Sequence, residues 1–250
     1  MSVVYGLKTG KITIEYTESD ISCPILWESH CHLQYEMIAV DKGDITVMLE
    51  GQNYRLKENQ IIIVPPLLYH SVTANEKGSY RRITALFEAD TIPKALQDSF
   101  LGEGKHTTVS RSQMEKIKSV CQKENEDYYA PLLHSLMIEL FYDMLQPPSV
   151  PIKIETDEFL QNALQYIDKN LNKKILLDDL AKATARSKSS FCHLFEEKMK
   201  ISPKQYILQK KLALANKLIS EGVPHTVAAT LVGYENYSNF YRLYRKNIKN

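Results

Sequence analysis

The chain has 250 residues, of which 44% are hydrophobic and 24% are charged, and its formal net charge at pH 7 is +1. This composition can bury two cores and excludes a disordered, collagen-like or low-complexity protein. The apolar runs are too short to span a bilayer, and the first ten residues lack the basic and apolar parts of a signal peptide. Four scattered cysteines without a paired motif indicate free thiols. We therefore expect a cytoplasmic protein with no membrane association.

The charges are distributed unevenly along the chain. Residues 1–150 include 14 basic and 20 acidic residues, whereas residues 151–250 include 17 basic and 10 acidic residues. A basic C-terminal half favours a polyanionic partner, although charge alone fits a solvated basic surface equally well. Three prolines within residues 147–151 cannot continue a helix and predict a linker at residues 147–153.

Short alternating apolar segments between Lys11 and Phe87 predict several β-strands. Their apolar residues are Ile12, Ile14 and Tyr16, then Ile45–Leu49 and Tyr54–Leu56 around a turn at Gly51-Gln52-Asn53, then Ile61–Val64 and Ile83–Phe87. Strands spaced this closely are typical of a sandwich or a small barrel. From Arg111 the apolar period becomes about 3.6 residues, which predicts two amphipathic helices before the linker.

The apolar stripes of these two helices exceed what a small barrel clearly needs. The stripes are Met114, Ile117, Val120 and Cys121, followed by Leu132, Leu133, Leu136 and Leu140. We expect one helix to pair with its symmetry mate in a homodimer. The alternative is that both helices pack wholly on their own barrel.

A group of imidazole and carboxylate side chains lies in the strand region. His30, His32 and Glu36 have the same parity, so on an extended chain they face one side, and a later strand would bring in His70. Such a set can hold a divalent metal ion or grip a polar small molecule, unless the four groups merely satisfy one another. The sequence therefore predicts an effector pocket lined by Trp27, His30, His32, Tyr35, Glu36 and His70, with His30, His32, Glu36 and His70 as the possible metal ligands.

The spacing of these residues resembles the two motifs of the cupin superfamily. The motifs read His30-x-His32-x3-Glu36-x6-Gly43 and Pro65-x4-His70. The resemblance implies a β-barrel with a central pocket, but cupins include enzymes, sugar-binding domains and empty barrels. The chain departs from the second motif at Asn59 and Leu67, where the family often has glycine.

An internal repeat is the strongest feature of the C-terminal half. Phe191-Cys192-His193-Leu194-Phe195-Glu196 recurs 49 residues later as Phe240-Tyr241-Arg242-Leu243-Tyr244-Arg245. Each copy follows an apolar, alanine-containing segment and a cap residue, Ser187 or Asn236, which is the order of a helix-turn-helix. Ser202 and Pro203 begin a long helix that runs toward Gly222 and could hold two recognition helices about one turn of B-DNA apart. Gly233 marks a turn that requires a left-handed backbone.

The polar faces of the two repeated helices are the expected DNA-reading surface, and a solvated polar face is the alternative. The expected DNA-binding residues are Ser187, Lys188, Ser189, Cys192 and His193 in the first copy, and Tyr237, Ser238, Tyr241, Arg242 and Arg245 in the second. Arg242 lies centrally and suits a base edge, whereas Arg245 near the helix end suits a phosphate.

Residues 159–246 resemble the DNA-binding domain of the AraC/XylS family of transcription regulators. The matching motifs are Leu180-Ala181, Ser187-x3-Phe191-x3-Phe195, Ser202-x3-Tyr206, Leu212-x2-Ala215-x2-Leu218, Ala229-x3-Gly233-Tyr234 and Phe240-x3-Tyr244-Arg245-Lys246. Three departures stand out: Lys200 replaces a usual glycine, His225 a usual apolar residue, and Glu196-Glu197 a commonly basic pair. The chain ends at Asn250, before the closing segment of the family, which we expect to weaken the second helix-turn-helix. The first recognition helix contains no arginine and should read DNA weakly.

We predict a mixed fold: a cupin-like β-barrel at residues 1–110 with a two-helix dimerisation segment at 111–146, the linker, and an all-α domain at 154–250 with two helix-turn-helix motifs joined by a long helix. The predicted function is a one-component transcription regulator, not an enzyme, that senses a small-molecule effector and binds double-stranded promoter DNA as a homodimer, with RNA polymerase as a possible further partner. The alternative is a metal-dependent cupin enzyme, such as an oxygenase or isomerase, which leaves the repeat unexplained. The sequence leaves open the effector, a bound divalent metal, the operator, and activation or repression.

Overall fold

The computed structural model describes residues 2–22, 25–27, 29–99, 105–122, 126–146 and 153–248. The chain divides into two compact units, Met1–Glu155 and Thr156–Asn250. The first is rich in β-sheet and the second is helical, which confirms the predicted mixed fold. Most of the predicted linker (residues 147–152), Cys23 and Asn250 lie outside the described residues. No helix in the described ranges is long and apolar enough to cross a membrane.

The strands and helices of the N-terminal unit follow the predicted order, with short elements added between them. The strands are β1 (Ser2–Thr9), β2 (Ile12–Ile21), β3 (Ile25–Leu26), β4 (Tyr35–Lys42), β5 (Asp44–Leu49), β6 (Gln52–Lys57), β7 (Gln60–Val64), β8 (His70–Ala74), β9 (Gly78–Phe87), β10 (Lys105–Thr108) and β11 (Lys153–Thr156). The helices are α1 (Lys94–Ser99), α2 (Arg111–Cys121) and α3 (Glu126–Asp143).

These strands form two sheets that share a core. One sheet has the order β1-β2-β9-β4-β7-β10, and the other has the order β11-β6-β5-β8-β3. Their inner faces meet in a buried cluster that includes Ile38, Val47, Ile62 and Val72. Because side chains alternate along a strand, the same strands also present a second face. The closed cupin barrel stays a prediction.

The outer face of the six-stranded sheet carries the second core of this unit. Met37, Ile83 and Phe87 on this face pack with buried residues of α1, α2 and α3. The predicted stripe of α2, from Met114 to Cys121, is fully buried there. The apolar stripe of α2 thus packs on the sheet of its own chain and is not available to a second copy. Helix α3, by contrast, also has an exposed side.

Two local predictions shift by a few residues. The β5–β6 turn lies at Glu50 and Gly51, because Leu49 pairs with Gln52, and both turn residues have positive φ, as a type I′ turn requires. The predicted boundary at residue 153 falls inside β11, because this segment joins the edge of the five-stranded sheet.

The C-terminal unit contains the predicted succession of helices. They are α4 (Glu158–Lys169), α5 (Leu177–Ala183), α6 (Lys188–Met199), α7 (Pro203–Ser220), α8 (His225–Leu231) and α9 (Tyr237–Ile248). We call α5–α6 the first helix pair and α8–α9 the second helix pair. The side chains of Ser187, Ser202 and Asn236 accept hydrogen bonds from backbone N–H groups three residues further along, which caps the helices that follow.

The repeated aromatic residues hold the two helix pairs together. Phe191 and Phe195 are fully buried, and the Phe195 ring lies 5.6 Å from that of Tyr206 on α7. In the second pair, Phe240 packs with Leu212 of α7 and Val232 of the turn. The aromatic face is therefore core, as the periodicity predicted, and the polar face of each repeated helix is left outside.

Positions where the sequence departs from a usual glycine share one backbone property. Asn59, Leu67 and Lys200 have φ values of 65°, 67° and 57°, all in the left-handed region that favours glycine. The departures therefore place strain at defined points of both units. Gly233 also has positive φ, at 76°, as predicted.

Candidate ligand site and DNA-binding surface

Four predicted residues of the N-terminal unit converge on one point. One ligand atom from each of His30, His32, Glu36 and His70 lies within 4.8 Å of those of the other three. We call this group the His/Glu cluster. Glu36 and His70 are buried, His32 is half-buried and His30 is exposed, so the cluster opens toward solvent on one side.

The backbone that positions the His/Glu cluster is less regular than the single extended strand predicted from the sequence. His30 and His70 form an isolated antiparallel bridge through two backbone hydrogen bonds of 3.0 and 2.9 Å. Directly opposed residues share a face, which explains why their rings lie 4.5 Å apart. His32 lies in the irregular segment before β4, and the strained Leu67 donates its N–H to the His32 carbonyl at 2.8 Å.

Backbone carbonyl groups orient two of the imidazole rings. His32 Nδ1 lies 2.8 Å from the Gln34 carbonyl oxygen, and His70 Nδ1 lies 2.9 Å from that of Leu68. Because a carbonyl oxygen only accepts, each Nδ1 must carry the proton. Both Nε2 atoms then point at one oxygen of Glu36, at 3.2 and 2.7 Å. This is the second-shell arrangement that prepares histidine for metal binding.

Electrostatics couple the same groups. Burial would raise the pKa of Glu36, but the hydrogen bonds from His32 and His70 outweigh it and hold the Glu36 pKa well below its usual range. Burial would lower the pKa of His70, but its hydrogen bond to Glu36 outweighs this and raises the pKa. The cluster therefore accommodates either an imidazolium–carboxylate pair or neutral imidazoles whose Nε2 lone pairs face a cation.

The other two predicted pocket residues lie in different surroundings. Trp27 packs in the core between the sheets, with its ring 5.4 Å from that of Tyr80. Tyr35 precedes Glu36 on β4 and so faces the opposite side of the sheet, where its ring stacks on Phe87 at 5.5 Å beneath the helices. The structure therefore brings Trp27 to the inner face but not Tyr35.

The structure also shows polar residues on this inner face that the sequence interpretation missed. Tyr80, Arg82 and Thr84 alternate with apolar residues along β9, and each has a buried side-chain atom without a hydrogen-bond partner among the described residues. The signal was a polar period of two opposite the apolar face of Ile83 and Ala85.

The predicted DNA-binding residues lie on the outer sides of the two helix pairs. All ten are exposed except Cys192, which is half-buried. On α9, Arg242 donates to the Asn239 side chain at 3.1 Å, and the Arg245 guanidinium lies 5.9 Å from the centre of the Tyr241 ring. On α6, His193 lies 3.9 Å from Glu197. The second pair thus presents two arginines where the first presents a histidine beside a carboxylate.

A groove of about 600 Å³ lies between the two helix pairs. Four lysines line it: Lys174, Lys188, Lys204 and Lys211. The acidic residues on its wall are Asp178, which pairs with Lys188 at 2.9 Å, and Glu235. Because amines outnumber carboxylates, the groove is electropositive. Of these four, only Lys188 was predicted from the sequence to bind DNA.

Lys211 forms the floor of this groove and is nearly fully buried. Its Nζ donates to the carbonyl oxygen of Lys173, which follows α4, at 2.7 Å and to that of Val232, which ends α8, at 2.6 Å. Burial lowers the Lys211 pKa to about 8. Among the described ion pairs none includes Lys211. One ammonium on α7 therefore joins the loop that precedes the first helix pair to the turn of the second pair, without a carboxylate to neutralise it.

Comparison with known families matches both units of the chain. A model described as "AraC-like ligand binding domain" matches residues 26–141, and one described as "Helix-turn-helix domain" matches residues 180–249. The first range includes the whole His/Glu cluster and the second includes both helix pairs from Leu180 onward.

Several relatives are named as transcription regulators. The uncharacterized HTH-type transcriptional regulator YdiP of Escherichia coli is 24% identical over 243 residues, which cover 89% of this chain and 79% of that protein. The lactose operon transcription activator of Staphylococcus xylosus is 22% identical, with 72% and 68% covered. The probable transcriptional regulator LumQ of Photobacterium leiognathi is 38% identical over 82 residues, which are 32% of this chain and 33% of LumQ.

Solved structures of ToxT from Vibrio cholerae also align with the chain. The form bound to an unsaturated fatty acid is 8% identical, covers 95% of this chain and 92% of its own, and has a TM-score of 0.45.

Proposed function

Because the chain belongs to the AraC-type transcription regulators, which bind DNA and carry an N-terminal ligand-binding domain, we propose that its two helix pairs read successive major grooves under the control of a small effector held between the two sheets. The observation that carries the DNA-reading part is the repeated helix, whose aromatic side is core in both copies and whose polar side is exposed in both. Two such helices joined by α7 would supply two recognition helices, one for each major groove.

The electropositive groove between the helix pairs gives this proposal a second support. If the two recognition helices occupy successive major grooves, the DNA backbone between those grooves must cross the space between the helices. Lys174, Lys188 and Lys204 on the groove wall can neutralise phosphates there, and Lys211 adds a fixed positive floor. On α9, Arg242 would contact a base and Arg245 a phosphate. The proposed surface therefore assigns base contacts and phosphate contacts to different residues.

The test is a salt titration of DNA binding with the full chain. Binding to promoter DNA should weaken steeply as salt rises, because lysine and arginine displace counterions from phosphates. The double variant Lys174→Ala/Lys204→Ala should weaken binding to cognate and random DNA equally and reduce the salt slope by about two. Lys217→Ala, on α7 but outside the groove, is the matched control. An unchanged slope in the double variant would remove the groove from the interface, and absence of DNA binding by the full chain would refute the function.

The sensing site that we propose includes the His/Glu cluster and Trp27. Two chemistries fit the cluster: hydrogen bonding to hydroxyl or carboxylate groups of a metabolite, or coordination of Zn, Ni, Mn or Fe by the imidazoles of His30, His32 and His70 with the Glu36 carboxylate. The prepared Nε2 atoms fit a metal ion, which would act there as a Lewis acid that orients the effector. Relatives named as regulators favour sensing over the alternative of a metal-dependent enzyme.

A double variant separates these roles of the cluster. His32→Ala/His70→Ala should lose bound metal, measured by native mass spectrometry, if the cluster coordinates an ion. It should retain its fold and lose the effector response of DNA binding if the cluster holds an organic ligand. If metal content, effector response and promoter binding all stay unchanged, the histidines are structural and the pocket assignment is wrong.

We also propose that α3 pairs with its counterpart in a second copy of the chain. Its inner side is buried on the sheet, but Tyr128, Leu132 and Tyr142 on its outer side are 74%, 47% and 57% exposed. Their spacing of four and ten residues fits one seam with a heptad period, the geometry by which two helices interlock. Sedimentation of the full chain should give a dimer that Leu132→Asp dissociates and that Lys116→Glu, on α2, leaves intact. A wild-type monomer at high micromolar concentration would refute the dimer.

A further inference from the structure

A wall of unpartnered polar atoms faces the interior of the N-terminal unit. The atoms are Thr17 Oγ1 and Ser19 Oγ on β2, and Tyr80 Oη, Arg82 Nε and Thr84 Oγ1 on β9. Each is buried, and apart from the contact of the Arg82 side chain with Tyr80 none has a hydrogen-bond partner among the described residues. A buried polar group without a partner destabilises the fold, so such a group calls for an explanation.

The register of the sheet places these atoms on one surface. Thr17 pairs with Arg82 and Ser19 pairs with Tyr80 across the antiparallel β2–β9 ladder. Cross-strand neighbours share a face, and residues two apart on β9 share it as well. Tyr80 belongs to the core between the sheets, which identifies this face as the inner one.

Arg82 is the charged centre of the wall. Its guanidinium lies 5.3 Å from the centre of the Trp27 ring, and within the described ranges it takes part in no ion pair. The neighbouring Arg81 faces the other way and donates to Glu18 at 2.7 Å. A guanidinium edge with a buried, unpartnered Nε fits the two oxygens of a carboxylate or phosphate group.

The wall and the His/Glu cluster line the same interior. Trp27 contacts both Tyr80 and Arg82. Glu36 pairs with Leu86, two residues beyond Thr84, across the β4–β9 ladder, so Glu36 lies on the same face of the sheet as the wall. A single small molecule can therefore meet the wall at one end and the cluster at the other.

We infer that the wall is the recognition site for the anionic group, a carboxylate or a phosphate, of a small hydroxylated metabolite, with Arg82 as the anion ligand and Tyr80, Thr17 and Thr84 as hydroxyl partners. The inference rests on the proposed sensing function and names the chemical class of the effector. It also explains why an arginine lies on an inner sheet face without a carboxylate: the effector supplies the counter-charge.

Matched pairs of anionic and neutral compounds test the inference on the full chain by thermal unfolding. The pairs are lactate and propane-1,2-diol, gluconate and sorbitol, and glucose 6-phosphate and glucose, each at tens of millimolar. At least one anion should raise the unfolding temperature while its neutral counterpart does not, because a ligand stabilises the state that binds it. A response to lactate or gluconate assigns a carboxylate, and one to glucose 6-phosphate assigns a phosphate. Equal shifts within every pair, or no shift with any anion, would overturn the inference.

Variants of Arg82 test whether this residue is responsible for the anion-induced rise in unfolding temperature. Arg82→Met should abolish the anion-induced shift, Arg82→Lys should retain part of it, and Arg81→Met, the neighbour on the opposite face, should retain all of it. Without ligand, Arg82→Met should be at least as stable as wild type, since the change removes a buried donor that lacks a partner. A full shift in Arg82→Met would overturn the assignment. DNA binding measured on the same preparations separates the outcomes, because a protein that binds DNA but no anion refutes this inference and leaves the regulator function standing.

Discussion

The two helix pairs of the C-terminal unit share a framework but differ in charge. Their second helices, α6 and α9, carry aromatic core residues at equivalent positions, 49 residues apart. At the polar positions, His193 of the first corresponds to Arg242 of the second, and Glu196-Glu197 corresponds to Arg245-Lys246. The buried positions are constrained by packing, while the exposed ones are free to diverge. The two copies thus share their buried framework and differ in the charge of their exposed faces.

The turns of the two helix pairs have the same hydrogen-bond pattern but differ in how closely neighbouring backbone packs against them. Each contains a left-handed residue, Ala185 in the first and Gly233 in the second, followed by a hydrogen bond of the Schellman type. Only at Gly233 does the neighbouring backbone come close: a Cβ there would lie 2.6 Å from the Cα and N atoms of Lys173. The glycine is therefore needed for packing in the second turn, whereas the first turn needs only the backbone angle.

The largest expected effect is the loss of this close packing. Gly233→Ala should destabilise the C-terminal unit by about 3 kcal/mol or more, because backbone atoms cannot move aside and φ is unfavourable for alanine. Hydrogen exchange of residues 156–248 in the full chain measures this stability. Ala185→Gly is the matched control and should change it by less than about 1 kcal/mol, because relief of strain offsets added chain entropy. Equal effects at both positions would show that the two turns are equivalent.

Base reading should depend on the second helix more than on the first. Arg242→Ala should weaken binding to a cognate site by about 1–3 kcal/mol if the guanidinium makes two hydrogen bonds to a guanine. His193→Ala, at the equivalent position of α6, should cost less, since a lone imidazole beside Glu197 offers one donor. Binding assays on cognate and random DNA measure both. If Arg242→Ala weakens both DNAs equally, Arg242 is only a phosphate contact.

Local signals explain why the helical unit was largely predictable from sequence. Caps such as Ser187 and Asn236 act within three residues, and the aromatic repeat specifies one buried face. Burial of Lys211 was not predictable, because its partners at Lys173 and Val232 belong to different parts of the chain. Such contacts arise only when the helices pack.

In the N-terminal unit, the sequence named the four residues that converge in the His/Glu cluster but not the polar residues of β9 on the same sheet face. The residues of the His/Glu cluster follow a spacing that resembles a known motif, although a bridge and a bend deliver them instead of one strand. Arg82 was missed because its significance depends on the β2–β9 register, which brings Thr17 beside it. Tyr35 could have been excluded, since a neighbour of Glu36 on a strand must face the other way.

Relief of backbone strain at the end of α6 should give a smaller, stabilising effect. Lys200 ends this helix in the left-handed region, whereas Gly222 has positive φ just after α7. Lys200→Gly should therefore stabilise the unit by about 0.5–1 kcal/mol. Gly222→Ala should destabilise it by a similar amount, although open space surrounds that position. Hydrogen exchange of α6 and α7 follows both. A loss of stability in Lys200→Gly would mean that its side chain contributes more than its backbone costs.

The smallest expected effect concerns the acidic pair at the end of the first recognition helix. Glu196 and Glu197 stand where the second helix carries Arg245 and Lys246. In the proposed DNA complex they would repel phosphates that the second helix would attract. Each of Glu196→Gln and Glu197→Gln should strengthen DNA binding by about 0.5 kcal/mol, or two- to threefold, at low salt. The gain should be equal on cognate and random DNA and should shrink as salt rises, because exposed charges are screened. Glu221→Gln, just beyond α7 beside Lys217, is the matched control for a carboxylate away from the recognition helices. If the variants of α6 bind no better than this control at any salt concentration, the first recognition helix lies away from the phosphates. The second helix pair would then hold the DNA without it.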